Sequence, residues 1–245
     1  MVREIAWGVM RLDYYDALAA LGVESAHPGG FEMTQTWLSH MPFEHGQEVL
    51  EVGCGVGKTA CEISRRFDVL MTAVDVRKDM IEKAKARSLA YGVNVDFLVT
   101  AKHKLPFRDA AFDYVIAESV TVFNPIVKIL QEYARVLKNG GMLLDVEMAS
   151  MAPLPPNVMQ EFRSLYHAVE VPTISDWKKR VAQAGFNDTQ ILLSGPVTSS
   201  ASVETVENPM LANMPNGLGQ IIGDNQRVMS QYGKWLNFII LTAKK

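Results

Sequence analysis

The densest chemistry in the chain lies in one continuous stretch, Glu51-Val52-Gly53-Cys54-Gly55-Val56-Gly57-Lys58-Thr59. Alternate glycines let a backbone approach a ligand closely. A helix starting directly behind them would aim its free N–H groups at that ligand. Two related motifs fail on spacing. A phosphate-binding loop ends correctly in Gly57-Lys58-Thr59, but its first glycine would fall on Val52. A dinucleotide loop would need its third glycine where Lys58 stands. The spacing present is Gly-x-Gly-x-Gly behind an acid. Cys54 reads best as a small residue in a tight loop, meeting a ligand through its backbone, and Cys61 as core. Two cysteines build neither a disulfide framework nor a closed zinc site, and no metal-ligand cluster is visible.

Such a loop works only where a strand ends and a helix begins. Glu48–Val52 reads as a strand and Lys58–Phe67 as a helix. The alternation continues through a strand at Val69–Val74, a helix at Lys78–Tyr91 and strands at Val93–Thr100 and Phe112–Ala117. A helix at Ile126–Leu137, closed by Asn139-Gly140-Gly141, then precedes a strand at Met142–Val146. Strands alternating with helices of this length imply βαβ units and a parallel sheet. Ahead of them lie helices at Tyr14–Leu21 and Phe31–Met41, joined through His27-Pro28-Gly29-Gly30. Behind them come helices at Asn157–His167 and Ser175–Ala184, with Ser175 as N-cap, and strands at Thr189–Leu193 and Trp235–Thr242. Residues 194–234 between those two strands read as a partly helical insertion. The expected organisation is one domain over 1–245: an N-terminal helical cap (1–41), a ligand-binding core (42–149) and a substrate-side half (150–245).

These motifs in this order resemble the class I S-adenosylmethionine-dependent methyltransferases, specifically their small-molecule, ubiquinone/menaquinone-methyltransferase-like group. The likeness runs from about residue 30 to the C-terminus. Supporting stretches are Leu105-Pro106-Phe107-Arg108-Asp109 with Phe112-Asp113-Tyr114-Val115, Ala134-Arg135-Val136-Leu137-Lys138-Asn139-Gly140-Gly141, and Ala184-Gly185-Phe186. The resemblance implies a Rossmann-like α/β fold, a seven-stranded, mostly parallel sheet flanked by helices. It implies S-adenosyl-L-methionine as cofactor and S-adenosyl-L-homocysteine as product. Glu51, Gly53, Cys54, Gly55 and Gly57 would hold the amino-acid end. Asp75, 22 residues after Gly53, would take the ribose hydroxyls, since a carboxylate can accept two bonds in one plane. Val76 would pack on adenine and Met80 under the sugar or base. Where close relatives carry Gly-Asp-Ala, this chain has Thr100-Ala101-Lys102, so Ala101 cannot accept from the adenine amino group. Thr34 would lie near the cofactor carboxylate. Glu118, just past strand four, occupies the position that commonly addresses the reacting end, and it, His27 and Glu147 are the possible general bases.

Composition limits the partners. Of 245 residues, 48% are hydrophobic and 21% charged, as in an ordinary globular domain. A formal charge of −3 argues against a dedicated nucleic-acid binder. The missing Asn/Asp-Pro-Pro-Tyr signature at the end of strand four argues against an amino-group methylase acting on bases or glutamine. No apolar run reaches the ~18 residues of a membrane span, and the opening Met-Val-Arg-Glu-Ile-Ala-Trp lacks a signal-peptide core. The expected setting is cytoplasmic, with a small-molecule methyl acceptor and a homodimer left open. Met148, Met151, Phe162, Tyr166, Met210 and Met214 would line a moderately apolar acceptor site. Two other readings share the loop: a non-catalytic protein of the same fold, and an NAD-dependent oxidoreductase.

Overall fold

The computed structural model describes residues 14, 16, 25, 27–100, 104–197 and 217–245. The expected helix end at Leu21, and Ala101, Lys102, Met210 and Met214, lie outside them. The first complete element is α1 (Gly30–Leu38). The alternating core follows: β1 (Glu48–Val52), α2 (Lys58–Arg66), β2 (Leu70–Asp75), α3 (Lys78–Tyr91), β3 (Asp96–Val99), β4 (Phe112–Glu118), α4 (Ile126–Val136) and β5 (Leu137–Ser150). It continues through α5 (Pro156–Tyr166), α6 (Ile174–Gln183), β6 (Asn187–Pro196), α7 (Leu218–Tyr232) and β7 (Leu236–Lys244).

The seven strands form one sheet in the order β3-β2-β1-β4-β5-β7-β6. β1 to β5 pair in parallel, and β7 runs antiparallel to both β5 and β6. From β1 the chain winds outward to β2 and β3, then returns to β4 on the other side. That reversal opens a crevice at the carboxyl ends of β1 and β4, where open α/β sheets bind ligands.

Period-two alternation sends successive side chains to opposite faces, and each face has its own apolar layer. Leu50, Val52, Val115, Leu143 and Leu241 pack under α4 and α6 with Leu130, Tyr133, Trp177 and Val181. Val49, Ile116, Leu144 and Ile240 pack under α1, α2 and α3 with Trp37, Leu38, Ile63 and Ala84. A third cluster joins Val158, Phe162 and Tyr166 of α5 to Val228 and Tyr232 of α7.

Strand β3 is shorter than the expected Val93–Thr100 and β6 longer than Thr189–Leu193, and two further local expectations differ. Thr173, not Ser175, caps α6. Its hydroxyl accepts from the Asp176 amide at 3.2 Å and donates to Asp176 Oδ2 at 2.8 Å. The spacing is Ser/Thr-x-x-acid, with the acid side chain bonded to the cap hydroxyl, and Thr173 holds the extended backbone a cap needs. Asn139-Gly140-Gly141 also does not separate α4 from the strand. β5 begins at Leu137, paired with Phe112, and runs 14 residues with a register shift between Phe112 and Tyr114.

Candidate functional site

The glycine loop sits where β1 and β2 end. Gly53 and Cys54 donate their amides to the Val74 carbonyl at 2.8 and 3.0 Å, which turns the chain out of the sheet. Gly53, Gly55 and Gly57 all take positive φ, at 73°, 51° and 73°, where a side chain is strained. A Cβ on Gly53 would lie 2.3 Å from Val120 Cγ2, and one on Gly57 2.7 Å from Ala84 Cβ. Among the described residues nothing lies within 4 Å of that point on Gly55, so it leaves its side of the loop open.

Three carboxylates surround this loop. Glu51 is buried, and its Oε2 meets no donor among the described residues. Burial, then the nearby Glu118 and Asp75 charges, push its carboxyl well above the ordinary range, while the Ala60 backbone amide opposes the shift. Asp75 accepts from the Gly55 amide through Oδ2 and from the Arg77 amide through Oδ1, each at 2.9 Å. Burial raises its carboxyl, while those two amides oppose the shift. Val76 beside it is 52% exposed, and Met80 is buried. Cys54 is buried, its thiol pushed up by burial and then by Glu51 and Asp75.

Glu118, at the end of β4, is the third acid, and its side chain is 6% exposed. Its Oε1 accepts from the Thr34 hydroxyl at 2.8 Å and the Trp37 indole at 2.9 Å, and its Oε2 from the Thr59 hydroxyl at 2.7 Å. His27 Nε2 lies 3.0 Å from Thr34 Oγ1 and 3.5 Å from Glu118 Oε1. The structure therefore brings His27, Thr34 and Glu118 together beside the loop, and adds Trp37 and Thr59, which sequence reasoning missed. Both carried a faint signal. Trp37 stands three residues after Thr34 and shares its helix face, and Thr59 comes two residues after the last glycine of the run.

Glu147 is placed apart. Register pairs Glu118 with Val146, so Glu147 projects from the opposite face. It is fully buried, and its Oε1 accepts the amides of Val120 and Thr121 at 2.8 and 2.5 Å and that of Val122 at 3.3 Å. It fixes the turn after β4, including Val120, which packs on Gly53. Fully buried Asp145 projects from the same face. No group of three or more metal-ligating side chains occurs among the described residues, and none of their helices is long and apolar enough to cross a membrane.

A parallel sheet reversing at β1, with an acid-flanked glycine loop and a second acid ending β2, defines a ligand-binding α/β protein of one class. The chain belongs to the class I S-adenosylmethionine-dependent methyltransferases. Residues 49–141 match the family described as "Methyltransferase domain". An uncharacterized methyltransferase, YodH of Bacillus subtilis, is 33% identical over 179 residues, 73% of this chain and 76% of that protein. The O-methyltransferase rstn1 of Aspergillus nomiae is 35% identical over 58% of this chain and 64% of its own length. The fold is shared with Haemonchus contortus phosphoethanolamine N-methyltransferase 2, solved with phosphomonomethylethanolamine and S-adenosylhomocysteine. That likeness has a TM-score of 0.78 at 19% identity and covers 94% of this chain and 57% of that one. The [4+2]-cyclase SpnF also shares it, with a TM-score of 0.75 at 20% identity over 94% and 93% of the two chains.

Proposed function

We propose that this chain binds S-adenosylmethionine at the glycine loop and transfers its methyl group to a small-molecule acceptor. The observation that carries the reading is the buried Glu51 Oε2, which meets no donor among the described residues, beside the Asp75 and Glu118 carboxylates. An unsatisfied buried carboxylate oxygen is costly, and a cationic ligand relieves both the missing bond and the mutual repulsion of the acids. The residues fit that cofactor. Glu51 and the backbone of Gly53, Cys54, Gly55 and Gly57 would hold the amino-acid end, Asp75 the ribose diol, and exposed Val76 with Met80 the base and sugar. Ala101 and Lys102 stay assigned to the adenine side by resemblance alone.

The bound cofactor supplies a methyl group on a sulfonium, with a thioether as leaving group. The chain's own contribution is alignment and exclusion of water, which requires no enzyme nucleophile. The carboxylates lower the energy of the cation, the open side of Gly55 admits it, and α1 closes one flank of the crevice. Segments 1–41, 149–172 and 194–234 are the proposed sources of acceptor specificity. Several relatives named as O-methyltransferases, including rstn1, make hydroxyl-bearing acceptors the first class to screen.

Calorimetric titration with S-adenosylmethionine, S-adenosylhomocysteine and NADH tests the reading. Saturable binding of the two sulfur compounds and none of NADH is expected; silence from both would end it. Labelled methyl transfer to a panel of phenols, thiols and amines then separates an enzyme from a non-catalytic binder. SpnF, named as a cyclase on this fold, makes that second step necessary, because fold does not fix reaction.

A further inference from the structure

Protein donors occupy both oxygens of Glu118 and most of its accepting capacity. A carboxylate offers about four acceptor sites, and hydroxyl or indole donors from Thr34, Trp37 and Thr59 take three, at 2.7 to 2.9 Å. The Thr34 hydroxyl has one proton and gives it to Glu118, so Thr34 receives the Nε2 proton of His27 at 3.0 Å. The whole cluster is shut in: His27 is 5% exposed and Thr34 not at all.

The donors come from two sides. His27, Thr34 and Trp37 belong to α1 and the turn before it; Thr59 lies in the first turn of α2, directly behind the glycine loop. Other contacts continue the seam. Lys58 Nζ lies 4.2 Å from the Phe31 ring centroid, and Gln35 donates to Glu62 and accepts from Arg66. Phe31, Gln35 and Lys58 are half-buried and Arg66 is exposed, so these contacts are weak, although Glu62 is itself buried. Glu118 ties α1 to the start of α2 through three hydrogen bonds.

We propose that Glu118 is a positioning residue, not a general base. It locks α1, the flank of the acceptor side, to the helix that begins under the glycine loop, so that filling the loop and ordering α1 are one event. Such coupling is reciprocal: whatever orders α1 also tightens the cofactor. The inference rests on the proposed cofactor reading, and its test keeps the two apart.

The test measures S-adenosylhomocysteine affinity and hydrogen exchange of the α1 amides in wild type, Glu118→Ala, Glu118→Gln and Thr34→Val. In wild type the ligand should slow exchange over residues 30–38. Glu118→Ala strands three donors and should weaken binding about tenfold or more, with α1 exchanging fast with or without ligand. Glu118→Gln should stay within about threefold of wild type, because its oxygen accepts from Thr34 and Trp37 and its amide donates to the Thr59 hydroxyl. Thr34→Val removes one donor, keeps the fold if Glu118→Ala does not, and should show the same changes at smaller size. Wild-type exchange and affinity in Glu118→Ala and Thr34→Val overturn the lock. So does a Glu118→Gln variant that binds normally yet, with any methyl acceptor found, is as inactive as Glu118→Ala, since that pattern marks a base. If wild type fails to bind S-adenosylhomocysteine, the cofactor reading falls and the coupling to the loop with it, while the lock itself is still tested. Faster α1 exchange in ligand-free Glu118→Ala still supports the lock, and unchanged exchange there overturns it.

Discussion

Absent Cβ atoms serve two purposes in the glycine loop. At Gly53 a methyl group would collide with Val120 in a backbone conformation already hostile to side chains. Gly53→Ala should therefore cost about 2–4 kcal/mol of stability, read as a lower urea midpoint. At Gly55 the same change meets open space. Gly55→Ala should cost only about 1 kcal/mol, the strain of its positive φ, while titration shows cofactor affinity falling further because the methyl projects into the ligand's side. Asp75 offers the sharpest single test. Asp75→Ala should lose about 100-fold in cofactor affinity, the worth of two charge-assisted hydrogen bonds, with an unchanged circular dichroism spectrum. Undiminished binding would sink the ribose assignment.

Helix α6 shows how a terminus is chosen. Thr173, Ile174 and Ser175 offer two hydroxyls within one turn, and sequence position alone favours either. Thr173 prevails because its extended backbone lets the hydroxyl reach the Asp176 amide while the Asp176 carboxylate takes its proton. Thr173→Ala should cost about 1 kcal/mol in a thermal or urea melt, and Ser175→Ala much less. Strand β5 was expected to begin after Gly141, and begins at Leu137 instead. Glycines in a strand mark a bend or a close approach, and both hold here. Gly140 has a φ of 78°, and a Cβ on Gly141 would lie 3.0 Å from the Asp113 carbonyl on the neighbouring strand.

Stability of the whole molecule should carry the mark of its buried acids. Burial raises the carboxyls of Asp145 and Glu147, with Glu147 adding to the shift on Asp145. Between the ordinary carboxylate range and the value of about 7 for Glu147, the folded state holds protons that the unfolded chain has released. Stability therefore falls as pH rises through that window, because folding there takes up protons. The urea midpoint should be lower at pH 8 than at pH 5, and Asp145→Asn should shrink that difference. An equal pH dependence in the variant would show that the pair does not titrate with unfolding. The acids that surround the glycine loop lie on the other face of the sheet, so this change leaves cofactor binding in place.

Much of the fold is legible along the chain because it is written in local periods. Strand β1 and helix α3 have the bounds the apolar patterning suggests, and the loop between β1 and α2 follows from glycine spacing alone. Glu51, the glycines and Asp75 sit close together for the same reason: each ends or follows a strand whose neighbour in the sheet is set by a short crossover. The fate of Glu118 and Glu147 was not legible. Both are acids near strand ends, yet one residue of register separates the faces they occupy. Their partners also come from far along the chain; Glu118 meets Thr59, Trp37 and Thr34 across 59, 81 and 84 residues. Local sequence determined which groups could bind and where strands end. Only the packing of α1 and α2 against one sheet face decided which carboxylates stay open to a ligand and which are spent holding the protein together.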